Sequence, residues 1–542
     1  MLRRRHLGRV GFVEANDLQR ALLGAPDDYL LVMEHPATYT RGVRASPDNF
    51  LVPPESLDAV VVDADRGGDV TYHGPGQLVA WAIVTVPDEP GAGRAHVGAL
   101  EDAVIETVRA LDGAGALGEV GRLAGYPGVW ARLEDVPVKI AAVGVRTERD
   151  ERGRRRTLHG VALNVSVDLA AFGAIVPCGI ADRPVGSLQS LGLAAPLTEV
   201  EARLGAALAA RLATTERVAS VDRGAAGTSS DPALIRRLRR AGVDPDAALG
   251  PRERKPEWLR VPARMGGEFQ HLRSLREDLH LVTVCEEAGC PNIFECWASG
   301  TATFMVNGER CTRACGFCLV DTRKPLALDP TEPDRVAEAV ERLDLAHAVV
   351  TCVARDDLAD GGAGAIAATV RAIRRRRPGT TVEVLVSDLR GDPAALQIVL
   401  DERPDVLNHN IETVARLQRA ARPSAGYARS LALLARAATQ GLTTKSGMMV
   451  GLGEEPDEVE ETLVDLAAVG VSIATIGQYL RPTADHLPVA RWWRPEEFED
   501  LVERGRRAGL AHVQASPLTR SSYHARDALA ASTPVGLSPR SR

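Results

Sequence analysis

Cys311-Thr-Arg-Ala-Cys315-Gly-Phe-Cys318 is the stretch on which the reading of this chain turns. Three thiols within eight residues, spaced Cys-x3-Cys-x2-Cys, let one short loop carry each sulfur to a different iron of a cubane cluster. Soft thiolates select iron–sulfur clusters or zinc. A structural zinc site closes on four ligands, and no fourth Cys or His follows at suitable spacing, so zinc is the weaker reading. Three ligands leave one iron open to a small molecule bearing amino and carboxylate groups.

Upstream, Cys285, Cys290 and Cys296 form a second triplet, Cys-x4-Cys-x5-Cys, whose fourth ligand must come from elsewhere or be absent. Cys352 ends an apolar run and reads as a small buried side chain. Seven of the eight cysteines lie after residue 280. Such clustering, with no secretory signal, points to metal binding in a reducing compartment rather than to disulfides.

The rest of the chain fits that setting. It has 542 residues, 45% hydrophobic and 25% charged, with 65 basic against 72 acidic side chains and a net charge of -7. No basic excess points to nucleic acid or an anionic membrane, and 4% aromatics is too few for single-strand stacking platforms. The opening Met-Leu-Arg-Arg-Arg-His is basic. No apolar stretch of about 7–15 residues follows it, so it reads as a short basic N-terminus rather than a targeting segment. No apolar run approaches the roughly 20 residues that span a bilayer. A cytoplasmic protein is expected.

Beyond the cysteines, strands and helices alternate. Strands are expected at Ala348–Val353, Val382–Val386, Val406–Asn408, Thr443–Val450 and Ser472–Gln478. Helices are expected at Ala363–Arg376, Ala394–Leu400, Leu431–Gln440, Glu458–Ala468 and Pro495–Ala508. This βαβα order implies a parallel sheet, open or closed into a barrel. The Arg374–Arg377 run reads as a solvated helix end. Before residue 220 the pattern is mixed α/β. Strands are read at Tyr29–Met33, Leu78–Val86, Pro137–Val145 and Leu158–Val167, and helices at Ala95–Leu111 and Leu197–Leu212. Gly224-Ala-Ala-Gly-Thr-Ser-Ser-Asp231 is small and polar, a linker composition, followed by a short basic helix at Ala233–Ala241. The expected division is a first domain over 1–220, a linker over 221–250, a second domain over 251–530 and a tail over 531–542.

In the first half, Cys178 stands alone in Ile175-Val-Pro-Cys-Gly-Ile180. It is either a buried structural cysteine or a nucleophile, and the second reading needs an electropositive neighbour. Lys139, interrupting the apolar run Val136–Val145, is a candidate; the alternative is an edge-strand lysine. Arg66-Gly-Gly-Asp-Val-Thr-Tyr-His-Gly-Pro-Gly-Gln77 is a glycine-dense loop that allows close approach to a ligand. It is neither a Walker loop nor a dinucleotide fingerprint.

Two resemblances sharpen these readings. Cys311–Cys318 resembles the radical S-adenosylmethionine signature. Val284–Trp297 resembles the auxiliary-cluster motif of lipoyl synthases, Arg520-Ser-Ser-Tyr523 resembles their C-terminal motif, and Gly300–Met305, Arg355–Ala363, Asn408–Thr413, Thr444–Gly453 and Gly477–Pro482 match other stretches of that family. This resemblance covers about 250 through 530. It implies a partial (β/α) radical S-adenosylmethionine barrel and two 4Fe–4S clusters. Cys311, Cys315 and Cys318 would hold the first, whose open iron binds S-adenosylmethionine. Its one-electron reduction gives a 5′-deoxyadenosyl radical able to take hydrogen from an unactivated C–H bond. Cys285, Cys290 and Cys296 would hold the auxiliary, sulfur-donating cluster with a serine of the Arg-Ser-Ser-Tyr motif. Ser522 is chosen, with Ser521 left open. Departures are Phe294 and Gln514-Ala-Ser-Pro517, neither at a ligand.

Residues 8 through 215 resemble the octanoyltransferases of lipoate biosynthesis. The matches are Glu34–Thr40, Arg66–Gln77, Val138–Arg146, Leu158–Val165 and Pro177–Ile180, with a looser stretch at Gly186–Gly192. This implies a mixed α/β fold of the biotin/lipoate ligase type and a Cys178–Lys139 dyad. The thiol would take octanoyl from octanoyl-acyl carrier protein and pass it to a lipoyl-domain lysine. The implied substrate-binding positions are Arg66, Gly67, Gly68, Asp69, Val70, Thr71, Tyr72 and His73 in the loop. Ala142, Val143 and Gly144 join them beyond Lys139, with Gly160, Val161 and Ala162 on the neighbouring strand.

Together the halves imply a bifunctional lipoate-assembly enzyme: octanoyl transfer, then sulfur insertion at C6 and C8. A low-potential electron donor is implied; nucleic acid and membrane are not. The rival is an ATP-dependent lipoate ligase fused to another two-cluster radical enzyme such as a methylthiotransferase. An iron–sulfur electron carrier fits less well, because carriers normally have fully ligated clusters.

Overall fold

The computed structural model describes residues 1–532 apart from 114, 116, 134–135, 214, 222–231, 251–252, 261–266, 284–289, 291 and 294–302. The chain divides into two compact units, Met1–Ser220 and Val221–Arg542.

In the first unit the strands are β1 (Leu2–Arg9), β2 (Asp28–Glu34), β3 (Thr38–Arg41), β4 (Val60–Asp63), β5 (Thr71–His73) and β6 (Gln77–Ile83). They continue with β7 (Gly121–Leu123), β8 (Tyr126–Leu133), β9 (Val136–Arg149), β10 (Arg155–Asn164) and β11 (Glu216–Ser220). Eight form one mixed sheet in the order β11-β1-β2-β6-β10-β9-β8-β7, and β4-β3-β5 form a small second sheet. Alternation along β6 shows how the sheet divides its labour. Leu78, Ala80 and Ala82 join the core with Leu100, Val104, Leu204 and Leu208 of the helices Ala92–Leu111 and Leu197–Leu212. Val79 and Trp81 point the other way, into a cavity, as a period of two requires.

The basic N-terminus is part of the sheet. Residues 2–9 are a strand between β2 and β11, paired parallel to both. Arg5 is buried with its guanidinium 5.7 Å from the Tyr29 ring centroid, so its charge does not keep this segment in solvent.

In the second unit β12 (Val282–Thr283) pairs antiparallel with β13 (Thr303–Val306). Then β14 (His347–Cys352), β15 (Thr381–Leu385), β16 (Val406–Asn408), β17 (Thr443–Val450), β18 (Ile473–Gln478) and β19 (His512–Ala515) follow in sequence order, all parallel. This is an incomplete barrel. Ala348, Val350, Val382, Val384 and Leu407 face the helical layer. The alternate positions Glu383, Asn408 and Lys445 are buried and bonded to one another. Lys445 Nζ lies 3.1 Å from both Glu383 oxygens, and Asn408 Nδ2 donates to Glu383 Oε1 at 2.8 Å.

Part of the segment expected as a linker is folded onto the second unit. Helix Ala233–Arg240 buries Leu238, and Leu249 N donates to Val489 O at 2.8 Å. Its few apolar residues anchor it despite the polar composition. Residues 222–231 lie outside the described residues, as does 533–542 of the expected tail. Among the described residues no helix is long and apolar enough to cross a membrane.

Candidate active sites

The first unit holds a cavity of about 580 Å³ lined by Cys178, Lys139 and half of the glycine loop. Arg66, Gly67, Gly68, Asp69, Thr71 and His73 line it, with Ala142, Val143, Gly144, Gly160, Val161 and Ala162 from β9 and β10. Val70 and Tyr72 do not. Val70 is fully buried and its carbonyl accepts the Cys178 N–H at 2.7 Å. Tyr72 alternates with Thr71 and His73 along β5, so its ring packs instead on Tyr39 and Phe172.

Cys178 is half-buried and sits at φ 57°, ψ 19°. A non-glycine residue in the left-handed region costs on the order of 1–3 kcal/mol, and surrounding hydrogen bonds hold it there. The N–H groups of Cys178, Gly179 and Ile180 all donate to nearby backbone carbonyls. Lys139 is not an edge residue: β9 lies between β8 and β10, and the side chain is 6% exposed. Among the described residues no carboxylate pairs with its ammonium, which lies 5.7 Å from the Trp130 ring centroid. Gly128 makes room for it: a Cβ there would stand 2.9 Å from Lys139 Cε and 2.4 Å from Ala141 O.

His73 presents a bare nitrogen. Gln77 Nε2 donates to Asn164 Oδ1 at 2.9 Å, so Gln77 Oε1 is the acceptor 2.7 Å from His73 Nδ1, which must carry the proton. Among the described residues its Nε2 has no hydrogen-bond partner. Burial, aided by His35 and Arg66, pushes the His73 pKa well down, so the ring is neutral. His159 bonds Asp65 at 2.6 Å, and burial with Arg66, Arg20 and Arg146 lowers it to about 3. Phe12, Arg44, Trp81 and His159 also line the cavity. The sequence reading did not assign them to the site, although Trp81 is the one large ring in a run of small apolar residues.

In the second unit the cysteine loop follows β13, at the carboxyl ends of the parallel strands, where such sheets bind ligands. Arg313, between Cys311 and Cys315, fastens it. Arg313 reaches both Asp356 oxygens at 2.8 Å and Asp388 at 2.5 Å. Thr312 Oγ1 donates to Ala354 O at 3.0 Å. Burial pushes the Cys315 thiol up to about 12 and the Cys318 thiol to about 11. Among the described residues no three Cys, His or carboxylate groups converge on one ion; a cubane instead asks for one sulfur per iron, and the donor set fits one. Cys352 is half-buried, packed against the barrel core.

Cys285 and Cys296 lie outside the described residues. Cys290 is half-buried; burial raises its thiol and Arg520 opposes that shift. Asn292 Nδ2, two residues on, donates to Leu518 O at 2.6 Å, just before the C-terminal motif. The two serines differ. Ser521 Oγ donates to Asn410 Oδ1 at 2.8 Å and accepts from Asn408 Nδ2 at 3.0 Å. Ser522 Oγ accepts from Thr303 Oγ1 at 2.9 Å.

Comparison with known proteins gives each unit a relationship. Residues 14–209 match the model of the lipoyl protein ligase A/B catalytic domain, and residues 305–466 that of the radical SAM superfamily. The lipoyl synthase of Mycobacterium sp. (strain KMS) is 54% identical over 280 residues, 51% of this chain and 86% of that protein. That of Symbiobacterium thermophilum is 55% identical over 285 residues, 52% of this chain and 89% of that protein. A solved putative lipoate protein ligase from T. acidophilum aligns at TM-score 0.32 and 16% identity, over 41% of this chain and 89% of that one.

Proposed function

We propose, from the premise that this chain belongs to the lipoyl synthase family through its second unit and carries a lipoyl protein ligase A/B catalytic domain in its first, that the two units perform successive steps on one carrier-bound acyl chain. Lipoate biosynthesis by a radical S-adenosylmethionine enzyme is the activity of the family. The octanoyl-transfer step is our reading of the first unit. The observation that supports it best is the meeting of Cys178 and Lys139 at one cavity, whose wall combines apolar and glycine residues with Arg44, Arg66, Asp69, His73 and His159.

In that step the Cys178 thiolate attacks the carbonyl carbon of octanoyl-acyl carrier protein. The new S–C bond forms, the old one breaks, and the carrier thiolate leaves with a proton from Lys139. A lipoyl-domain lysine amine then attacks the acyl-enzyme. Its surplus proton returns to Lys139, and Cys178 is released. His73 and the loop around it line the acyl pocket in this reading. Val79, Trp81 and Val161 give the acyl chain an apolar wall that keeps water from the thioester.

In the second unit Cys311, Cys315 and Cys318 would hold one 4Fe–4S cluster and Cys285, Cys290, Cys296 and Ser522 the other. Bound there, S-adenosylmethionine and the clusters supply hydrogen abstraction and sulfur for C6 and C8. The protein's share is positioning: Arg313 fixes the first loop, and Asn408 and Asn410 clamp Ser521. That clamp commits the Ser521 hydroxyl on both its donor and acceptor sides, which favours Ser522 as ligand. The proposed partners are octanoyl-acyl carrier protein, lipoyl-domain proteins and a low-potential electron donor, in the cytoplasm.

The test of the first step is mass spectrometry of the full chain after incubation with octanoyl-acyl carrier protein. An octanoyl adduct on the Cys178 peptide, absent in Cys178→Ser, is expected. Acyl transfer by Cys178→Ser driven by ATP and free fatty acid would instead establish a ligase.

A further inference from the structure

Arg66 is a buried cation without a counter-ion. Its side chain belongs to a residue 8% exposed. Its guanidinium donates to Thr40 Oγ1 at 3.2 and 2.7 Å, to Thr40 O at 2.8 Å and to Gly67 O at 3.2 Å, all neutral acceptors. Among the described residues no carboxylate oxygen lies within ion-pair distance of it. Three other buried arginines are matched, Arg156 by Asp28 at 3.1 Å, Arg313 by Asp356 at 2.8 Å and Arg355 by Asp357 at 2.9 Å, whereas Arg422, like Arg66, donates to neutral oxygens, those of Asn410, Ile411 and Ser430. Burying a charge without its opposite is costly, and where such a group faces a cleft it marks a working site.

The seat is built for that guanidinium. A Cβ at Gly42 would lie 2.8 Å from Arg66 Nη1 and 2.4 Å from Gly68 O. The loop that carries Arg66 is hydrogen-bonded to the cysteine turn, Cys178 N to Val70 O at 2.7 Å. Arg66 and Cys178 line the same cavity. Asp69, the only carboxylate in that lining, is already occupied: Oδ2 accepts from Asn49 Nδ2 at 2.7 Å, and Oδ1 from Val70 N at 2.6 Å. The charged and titratable groups around the thiol are thus Arg44, Arg66, Asp69, Lys139, His73 and His159.

The geometry points to Arg66 as a positioning residue that holds Cys178 as its thiolate, alongside Lys139, by standing as the fixed cation of the cavity. This rests on the reading of Cys178 as the nucleophile. Burial lowers the Arg66 pKa, and the neighbouring Cys178 and Asp69 oppose that shift. Arg66 also helps to hold His73 and His159 neutral. An arginine stays charged throughout the working range, so the field it sets does not switch off when Lys139 gives up its proton in the acyl-transfer step.

The test is the pH profile of iodoacetamide alkylation of Cys178 in the full chain, read by mass spectrometry of the Cys178 peptide. The expected midpoint lies below the roughly 8.5 of free cysteine. Arg66→Gln should raise it by about one unit or more, and Arg66→Lys should restore most of the difference. Thr40→Val, which loosens the seat without removing the charge, should move it far less. Lys139→Met should leave it still below about 8.5. The assignment is overturned if Arg66→Gln follows the parent profile, if Thr40→Val shifts it equally, or if Lys139→Met alone brings it to the free value. If Arg66→Gln does not fold, the Lys139→Met profile decides. Failure of the octanoyl adduct would count against the nucleophile; an adduct with no Arg66 effect would count against Arg66 alone.

Discussion

Asp388→Asn tests whether the radical-site loop is held ready by protein charges. Asp388 is 1% exposed and bonds Arg313 at 2.5 Å, with Arg429 at 3.5 Å. Burial alone would raise its carboxyl, but Arg313 and Arg429 outweigh that and hold it at about 2 against an ordinary 3.8. A depression of roughly two units corresponds to about 2.5 kcal/mol of stabilisation by the charged form. It is complete above the unfolded value near 4 and is lost as pH falls through about 2. At neutral pH the variant therefore forfeits all of it. The assay is hydrogen–deuterium exchange of the apo full chain. Read-outs are the Cys311 amide, bonded to Asp321 O at 2.8 Å, and Thr312, bonded to Ala354 O at 3.0 Å. Exchange in peptides covering Cys311–Cys318 should rise by about 50-fold, with the helices Ala363–Arg376 and Pro456–Ala468 unchanged. Unaltered loop exchange, or an equal rise across the barrel, would refute the idea of a locally stapled loop.

Other variants separate the two units. Cys178→Ser should abolish octanoyl transfer yet leave sulfur insertion into a pre-octanoylated lipoyl domain intact, while Cys311→Ala should do the reverse; both are read by mass spectrometry of the domain. Gly128→Ala places a Cβ 2.4 Å from Ala141 O at φ 107°. It should cost about 1–3 kcal/mol by thermal melting and slow acyl transfer by displacing Lys139. Ser522→Ala should lower auxiliary-cluster iron content on reconstitution. Ser521→Ala should retain the ligand but broaden the cluster's EPR signal, because the Asn408–Asn410 clamp is gone.

What could be read in advance followed from period and spacing. The strands and helices of the second unit were legible because parallel strands covered by helices are continuous apolar runs between amphipathic ones. The Cys178 turn and the glycine loop were legible as motifs, and the cavity brings them together. Less visible was β1, whose arginines read only as a short basic N-terminus; the Tyr29 ring and the carbonyls of Arg4 and Arg217 help to make Arg5 buriable. The three- and four-residue strands β3, β4 and β5 are too short to show a period, so Tyr72 was grouped with His73 although they face opposite ways. Helix Phe12–Leu22 buries Phe12, Ala15, Leu18 and Leu22 at helical spacing and went unread beside the motif that follows. The isolation of Arg66 could not be seen in sequence at all, because it is defined by which carboxylates fail to reach it.

The most direct measurement of the whole account is anaerobic incubation of the full chain, its clusters reconstituted, with octanoyl-acyl carrier protein, an unmodified lipoyl domain, S-adenosylmethionine and a low-potential reductant. Mass spectrometry of the lipoyl domain should show octanoylation first and then the gain of two sulfurs on the same lysine. Octanoylation that never acquires sulfur, or no octanoylation by a chain that inserts sulfur into a pre-octanoylated domain, would contradict it.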